Sequence, residues 1–145
     1  MKLTIFGSRS LSGDKVKEII KSCIDKHNPE VILTAGETNG VCGEARQFAI
    51  ENGIQLKTEM LDYKKNGKGA PDQRSRKILS QSDHVIFIYD GVSKGTRHEI
   101  SLSVQMNIPY SLFVLSTSST VAESISRDIL FNVFTWDAIT NWKET

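Results

Sequence analysis

The sequence predicts an α/β protein with a doubly wound, mainly parallel sheet of five or more strands and helices on both faces. Short apolar runs alternate with helix-like segments along the chain, an order that places a covered parallel sheet at the centre. Most of those runs are continuously apolar, as strands buried on both faces are. Glycine-bearing turns follow several of them directly, and turns leaving the carboxyl ends of parallel strands gather on one rim.

Taken in order, the first strand is expected at Lys2–Phe6 and runs into Gly7-Ser8-Arg9-Ser10. Val16, Ile19, Ile20, Cys23 and Ile24 then recur at helical spacing, with Ser12 or Asp14 as the cap. Cys23 lies on that stripe and reads as core rather than reactive. The second strand, Val31–Ala35, leads into Gly36-Glu37-Thr38-Asn39-Gly40 and a helix from about Gly43 to Asn52. That helix turns Ala45, Phe48 and Ala49 inward, and Gly53 stops it. A third strand at Gln55–Met60 is followed by a longer connection with Gly67-Lys68-Gly69, then a helix over Gln73–Ser82.

The fourth strand, His84–Tyr89, is followed by Asp90 and Gly91-Val92-Ser93-Lys94-Gly95-Thr96. Glu99–Met106 fits both strand and helix periodicity. We expect a helix, because a parallel crossover must connect His84–Tyr89 to a last strand at Pro109–Leu115. A Ser/Thr loop, a weaker helix near Val121–Leu130 and an aromatic tail with Phe131, Trp136 and Trp142 follow. The tail would cover a sheet edge or form a dimer contact. Length suggests one domain over 1–145, with its core to about 115 and an extension over about 116–145.

Hydrophobic and charged contents of 39% and 24% are those of an ordinary globular domain. A formal net charge of +1 gives no global field toward nucleic acid or anionic lipid, so neither nucleic acid nor a membrane is expected as a partner. No apolar stretch approaches the roughly 20 residues that cross a bilayer. The chain opens on a strand-like run, so no signal peptide is expected. Cys23 and Cys42 lack metal-ligand spacing and read as reduced thiols in a cytoplasmic protein, with no metal and no cofactor.

The rim residues carry the functional expectation. Gly7-Ser8-Arg9-Ser10 can hold a phosphate through hydroxyls, backbone N–H groups and the Arg9 fork, or it is a capping turn with an exposed arginine. Gly36-Glu37-Thr38-Asn39-Gly40 reads as a second ligand-contacting turn, the alternative being a plain loop. In Ala70-Pro71-Asp72-Gln73-Arg74-Ser75-Arg76-Lys77, Pro71 and Asp72 suit a helix start and the crowded cations do not. At least one of Arg74 and Arg76 should therefore serve the rim, while Lys77 reads as solvated. Gly91-x-x-x-Gly95-Thr96-x-x-Glu99 would open a helix beneath a phosphate with Glu99 one turn in. The same spacing is also a capping box, Thr96 to Glu99. His98 reads as a surface histidine.

In this order, Gly7-Ser8-Arg9, Gly36–Gly40, Pro71…Arg74-Ser75…Ile78-Leu79 and Gly91…Gly95-Thr96-x-x-Glu99 resemble the SLOG superfamily over roughly Met1–Leu115. This Rossmann-like group includes the LOG (Lonely guy) phosphoribohydrolases, the core of DNA-processing protein A and sensors of ADP-ribose-derived signals. The likeness is greatest to its small stand-alone members. LOG enzymes carry Pro-Gly-Gly-x-Gly-Thr-x-x-Glu at the last turn; here Asp90 stands for the proline and Val92-Ser93-Lys94 fill a longer loop. In the small members the second turn reads Gly-Gly…Gly-Ala-Asp; here Glu37 replaces the second glycine and Cys42 falls at the Asp.

The resemblance implies catalytic roles for Glu99 and for Arg74 or Arg76. It implies ligand contacts from Gly7, Ser8, Arg9, Gly36, Glu37, Thr38, Asn39, Gly40, Asp90, Gly91, Lys94, Gly95 and Thr96. It also implies a homodimer or higher homo-oligomer. The expected function is binding of a nucleotide-derived small molecule, a nucleoside phosphate or ADP-ribose type, at the carboxyl rim of the sheet, either with or without hydrolysis of its N-glycosidic bond. A non-catalytic sensor or sequestering protein and a DNA-processing-type nucleic-acid module are the alternatives.

Overall fold

The apolar runs all become strands of one parallel sheet. The computed structural model describes residues 1–59, 64 and 67–115. Its elements are β1 (Lys2–Gly7), α1 (Asp14–His27), β2 (Val31–Ala35), α2 (Gly40–Glu51), β3 (Gln55–Glu59), a 3-10 turn (Gly67–Gly69), α3 (Ala70–Ser80), β4 (His84–Tyr89), α4 (Lys94–Gln105) and β5 (Tyr110–Val114). The strand order is β3-β2-β1-β4-β5. The chain winds outward from β1 to β3, then returns to the other side of β1 for β4 and β5. That reversal makes the carboxyl ends of β1 and β4 the topological switch point, where doubly wound sheets open a crevice. Register places Gly7 beside Ile88, so the two turns leave the sheet level with each other.

Alternation along the buried strands separates two cores. Leu3, Ile5, Ile32, Ile86 and Ile88 pack against Val16, Ile20 and Ile24 of α1 and Val41, Ala45 and Ala49 of α2. Phe6, Leu33, Val85 and Phe87 face the opposite way, against Ile78 and Leu79 of α3 and Ile100 of α4. Each fully buried aliphatic or aromatic side chain contributes about 1.5–3 kcal/mol. The doubly wound α/β expectation therefore stands, with helices on both faces.

The element ends differ from expectation for local reasons. Gly13, not Ser12 or Asp14, takes the cap position of α1 without a side-chain cap bond, and Asp14 becomes the first helical residue, where its charge suits the dipole. Asn28, left-handed at φ 46, ends α1, its N–H donating to the Ile24 carbonyl at 2.8 Å. The α2 helix begins at Gly40, ahead of Gly43, because the turn of β1 draws it in: Val41 N–H donates to the Ser8 carbonyl at 3.3 Å. The α3 helix likewise begins early, at Ala70, with Pro71 in its first turn. The Glu99–Met106 ambiguity resolves as helix, since Ile100 and Ser103 are buried at helical spacing. Met60, the expected helix near Val121–Leu130 and the aromatic tail lie outside the described residues.

Candidate functional site

Gly7 and Ser8 end β1 in a crowded place. A Cβ on Gly7 would lie 2.5 Å from the Ile88 carbonyl oxygen and 2.6 Å from Val41 Cβ. Packing of α2 against the sheet thus requires this glycine. Ser8 is 1% exposed and fully engaged. Its N–H donates to Ile88 at 3.1 Å, its Oγ accepts from the Asp90 N–H at 3.0 Å, and Thr96 Oγ1 lies 3.5 Å away. Ser8 therefore ties the turns after β1 and β4 together. Arg9 extends outward, its Nη2 donating to Glu37 Oε1 at 3.2 Å.

In the turn after β2, Gly40 has φ +64, and a Cβ there would meet the Arg9 Cα at 2.5 Å. No other residue lets this turn pass so close beneath Arg9. Glu37 points to the same side and accepts from both Arg9 and Arg74, the latter at 3.4 Å. Gly36 carries the chain out of β2. Thr38, Asn39 and Gly40 face a different depression, a groove of about 810 Å³ between α1 and α2, with Lys17, Glu44 and Phe48.

Helix α3 separates its arginines. The Arg74 side chain is 11% exposed and turned inward. Its Nε is buried with no hydrogen-bond partner among the described residues. Arg76 is half-exposed and donates from Nε to Asp72 Oδ2 at 2.7 Å, four residues back on its own helix. Lys77 pairs with Glu59 at 3.2 Å at the surface. His98 is exposed, with Nε2 2.6 Å from Asp72 Oδ1. Hydrogen bonds from Arg76 and His98 hold the Asp72 carboxyl below its usual range.

The turn after β4 is organised by Asp90. Its carboxylate accepts from the Ser10 and Ser93 hydroxyls, each at 2.7 Å, and from the Val92 and Ser93 N–H groups at 2.9 and 2.8 Å. Burial works to raise its pKa, but these donors outweigh it and hold the carboxyl well below the usual range. Asp90 thus shapes the loop from within. Gly91 takes φ +91 in the same turn. Lys94 is exposed at the first position of α4, whose cap residue Ser93 makes no side-chain cap bond. Thr96 is the third helical residue and is buried, so Thr96 and Glu99 do not form the capping box that their spacing allows.

Glu99 lies at the centre. Its carboxyl is enclosed by protein, part of the residue facing the cavity, and Ser75 Oγ donates to Oε2 at 3.3 Å. Burial lifts its pKa from 4.5 to about 8, Arg74 opposes the rise, Glu37 adds to it, and the Ser75 bond and Arg9 oppose it. Arg74 thus offsets burial only in part, and with a pKa near 8 the group is mostly protonated at neutral pH. Cys42, at the start of α2, donates to the Ile5 carbonyl at 3.8 Å. Burial first, then Glu37 and Glu99, push its thiol far up, so it stays protonated and unreactive.

These groups share one rim cavity of about 470 Å³ at the carboxyl ends of β1, β2 and β4. Among the sequence-nominated residues, Gly7, Ser8, Arg9, Glu37, Arg74, Gly95, Thr96 and Glu99 line it. Gly36, Thr38, Asn39, Gly40, Arg76, Asp90, Gly91 and Lys94 are not among its lining residues. Ser10, Cys42, Ser75, Ser93 and His98 line it as well. Ser10 belongs to the phosphate-holding turn and Ser75 to the motif that carries the resemblance, whereas Cys42, Ser93 and His98 had only their neighbours in sequence as a signal. The groove between α1 and α2 is larger, but the rim cavity combines converging polar side chains, a buried cation and a displaced carboxyl pKa. Among the described residues no group of His, Cys, Asp or Glu is placed to hold a metal ion, and no helix is long and apolar enough to cross a membrane.

No protein-family model and no curated protein matches the chain. Solved structures do. The molybdenum cofactor binding protein from the phototrophic bacterium Rippkaea orientalis matches with TM-score 0.64 and 19% identity, over 99% of this chain and 93% of that one. DNA processing protein A from Helicobacter pylori, described for its single-stranded DNA binding mode, matches with TM-score 0.65 and 17% identity, over 99% and 79%. DNA processing protein A from Streptococcus pneumoniae matches with TM-score 0.66 and 15% identity, over 97% of this chain and 60% of its own length. At these identities the likeness is one of fold, the Rossmann-like parallel α/β arrangement described above. It corrects one expectation. Net charge was taken to argue against nucleic acid, yet a single-stranded DNA binder has this fold. A chain-wide sum of charges does not report where cations gather on a rim, so it excludes nothing here.

Proposed function

We propose that the rim cavity binds the phosphate-bearing ribose of a nucleotide or nucleotide-derived molecule. The observation that carries this reading is the convergence of Arg9 from the turn after β1, Arg74 and Ser75 from α3, and Thr96 and Glu99 from α4 on one cavity at the switch point. Arg74 and Arg9 supply positive charge, and the start of α4, free of a side-chain cap, offers backbone N–H groups with a favourable dipole. Protonated Glu99 donates a hydrogen bond to a ribose oxygen, with Ser75 fixing its orientation. The volume of about 470 Å³ falls within the usual range of small-molecule sites.

Hydrolysis of the N-glycosidic bond is the catalytic form of this reading. Water oxygen would bond to C1′, the C1′–N bond would break, and the base would leave with the electron pair and take a proton. A carboxylate that stabilises the cationic ribose must be ionised, so turnover of this kind should rise with pH toward about 8. A sensor or sequestering protein uses the same contacts without turnover, and the protonated state of Glu99 at neutral pH favours that form. Incubation with a panel of nucleoside monophosphates and ADP-ribose derivatives, followed for free base, separates the two. Base release that Glu99→Gln abolishes supports the enzyme; binding without release supports the sensor.

A second reading, contact with single-stranded nucleic acid along the same rim, is favoured by the fold likeness to DNA processing protein A. A gel-shift titration at physiological salt tests it. Tight binding that Arg9→Ala and Arg74→Ala weaken would support it; no shift at micromolar protein would remove it.

A further inference from the structure

Arg9 and Arg74 arise on different elements, the turn after β1 and helix α3, yet both direct Nη2 at one oxygen, Glu37 Oε1. This is a poor structural ion pair. A guanidinium carries a rigid fork of donors and pairs best with both oxygens of a carboxylate. Among the described residues Arg74 instead makes a single long contact of 3.4 Å, and its buried Nε has no partner. Removing a cation from water costs several kcal/mol unless its donors are matched, so Arg74 is desolvated for more than Glu37 supplies. All three side chains line the rim cavity.

A phosphomonoester matches what is left over. It carries a charge near −2 at neutral pH and three acceptor oxygens. Those oxygens can take Arg74 through Nε and Nη together and Arg9 at once. A phosphodiester has one negative charge, no more than the carboxylate it would have to move. We propose that Arg9 and Arg74 form a seat for a phosphomonoester dianion, and that Glu37 holds this seat until the phosphate displaces it. The proposal rests on the rim-cavity reading above and narrows its ligand to one with a terminal phosphate. Glu37 is thereby a specificity-determining residue that weakens binding of lesser anions.

The test uses the full chain and base-free probes, ribose 5-phosphate and its methyl phosphodiester, titrated by calorimetry or NMR. Wild type should bind ribose 5-phosphate at least about tenfold tighter than the methyl ester. Glu37→Gln should bind ribose 5-phosphate about tenfold tighter than wild type, and should melt at lower temperature without ligand because Arg74 loses its partner. Should Glu37→Gln not fold, Glu37→Asp keeps the charge but shortens the reach and should still tighten binding. In wild type, the Arg74 Nε resonance should shift on adding ribose 5-phosphate. Affinity equal to or weaker than wild type in the folded Glu37 variants overturns the place-holder and leaves the rim site standing. Equal binding of ester and monoester overturns the dianion seat. Failure of wild type and variants alike to bind ribose 5-phosphate removes the rim-site reading and the seat together.

Discussion

Replacing Glu99 by Gln should stabilise the protein in mild alkali and leave it unchanged in acid. The folded protein keeps the Glu99 proton up to about pH 8, whereas the unfolded chain releases it near pH 4.5. Between those values the native state binds more protons than the unfolded one, so stability falls as pH rises. At about 1.4 kcal/mol per pH unit, the shift sets an upper limit near ~5 kcal/mol. Cavity water reaches part of the side chain and lowers that figure, and about 1–3 kcal/mol is the expected gain. Glutamine has nearly the same shape, still accepts the Ser75 hydroxyl and carries no charge to desolvate. Urea unfolding of both proteins at pH 5 and pH 8.5 measures the effect. The midpoints should coincide in acid and separate in alkali, with the variant higher. Parallel stability profiles, or a variant weaker at pH 8.5, would show that Glu99 ionises freely in the fold and refute the reasoning.

Gly40→Ala should cost about 2–4 kcal/mol, from a side chain forced to positive φ and overpacking against the Arg9 backbone, read by chemical denaturation. The control Gly53→Ala, also at positive φ but with open space around its Cβ, should cost about 1–2 kcal/mol. His84 is pushed down to about 4 by burial first, then by His27 and Lys26. Its neutral form is the one the fold accommodates, so stability should drain as pH falls from about 6.5 toward 4, by order 1 kcal/mol after solvent screening; His84→Asn should flatten that part of the profile. Arg76→Ala should leave affinity for ribose 5-phosphate within about twofold, whereas Arg74→Ala should weaken it about tenfold or more, both by the same titration.

The winding of the sheet was legible because β1, β2, β4 and β5 are short, mostly apolar runs and the connections leaving β1 to β4 each carry a glycine. Glu99 was legible too, since Gly95-Thr96-x-x-Glu99 fixes which turn of α4 it occupies. Which arginine faces inward was not. Neighbours two apart on a helix point to nearly opposite sides, and only the actual packing of α3 settles which side meets the rim. Glu37 as the partner of Arg9 and Arg74 was equally hidden, because those pairs span 28 and 37 residues. Gly7, expected as a ligand contact, lines the rim cavity and also leaves the room that Val41 and the Ile88 carbonyl need. Asp90, expected as a ligand contact, accepts four hydrogen bonds, three from its own turn and one from Ser10, and so braces the loop. Thr38 and Asn39 lie on the correct turn but face the groove between α1 and α2, because α2 starts at Gly40.

The most direct measurement is a nitrogen–proton NMR map of the backbone and arginine side chains during titration with ribose 5-phosphate. Shifts should concentrate at Ser8, Arg74 Nε, Gly95 and Thr96, leaving Lys17, Glu44 and Gln47 unmoved. Shifts confined to the groove of those last three residues, or none anywhere at millimolar ligand, would contradict a phosphate site at the switch point.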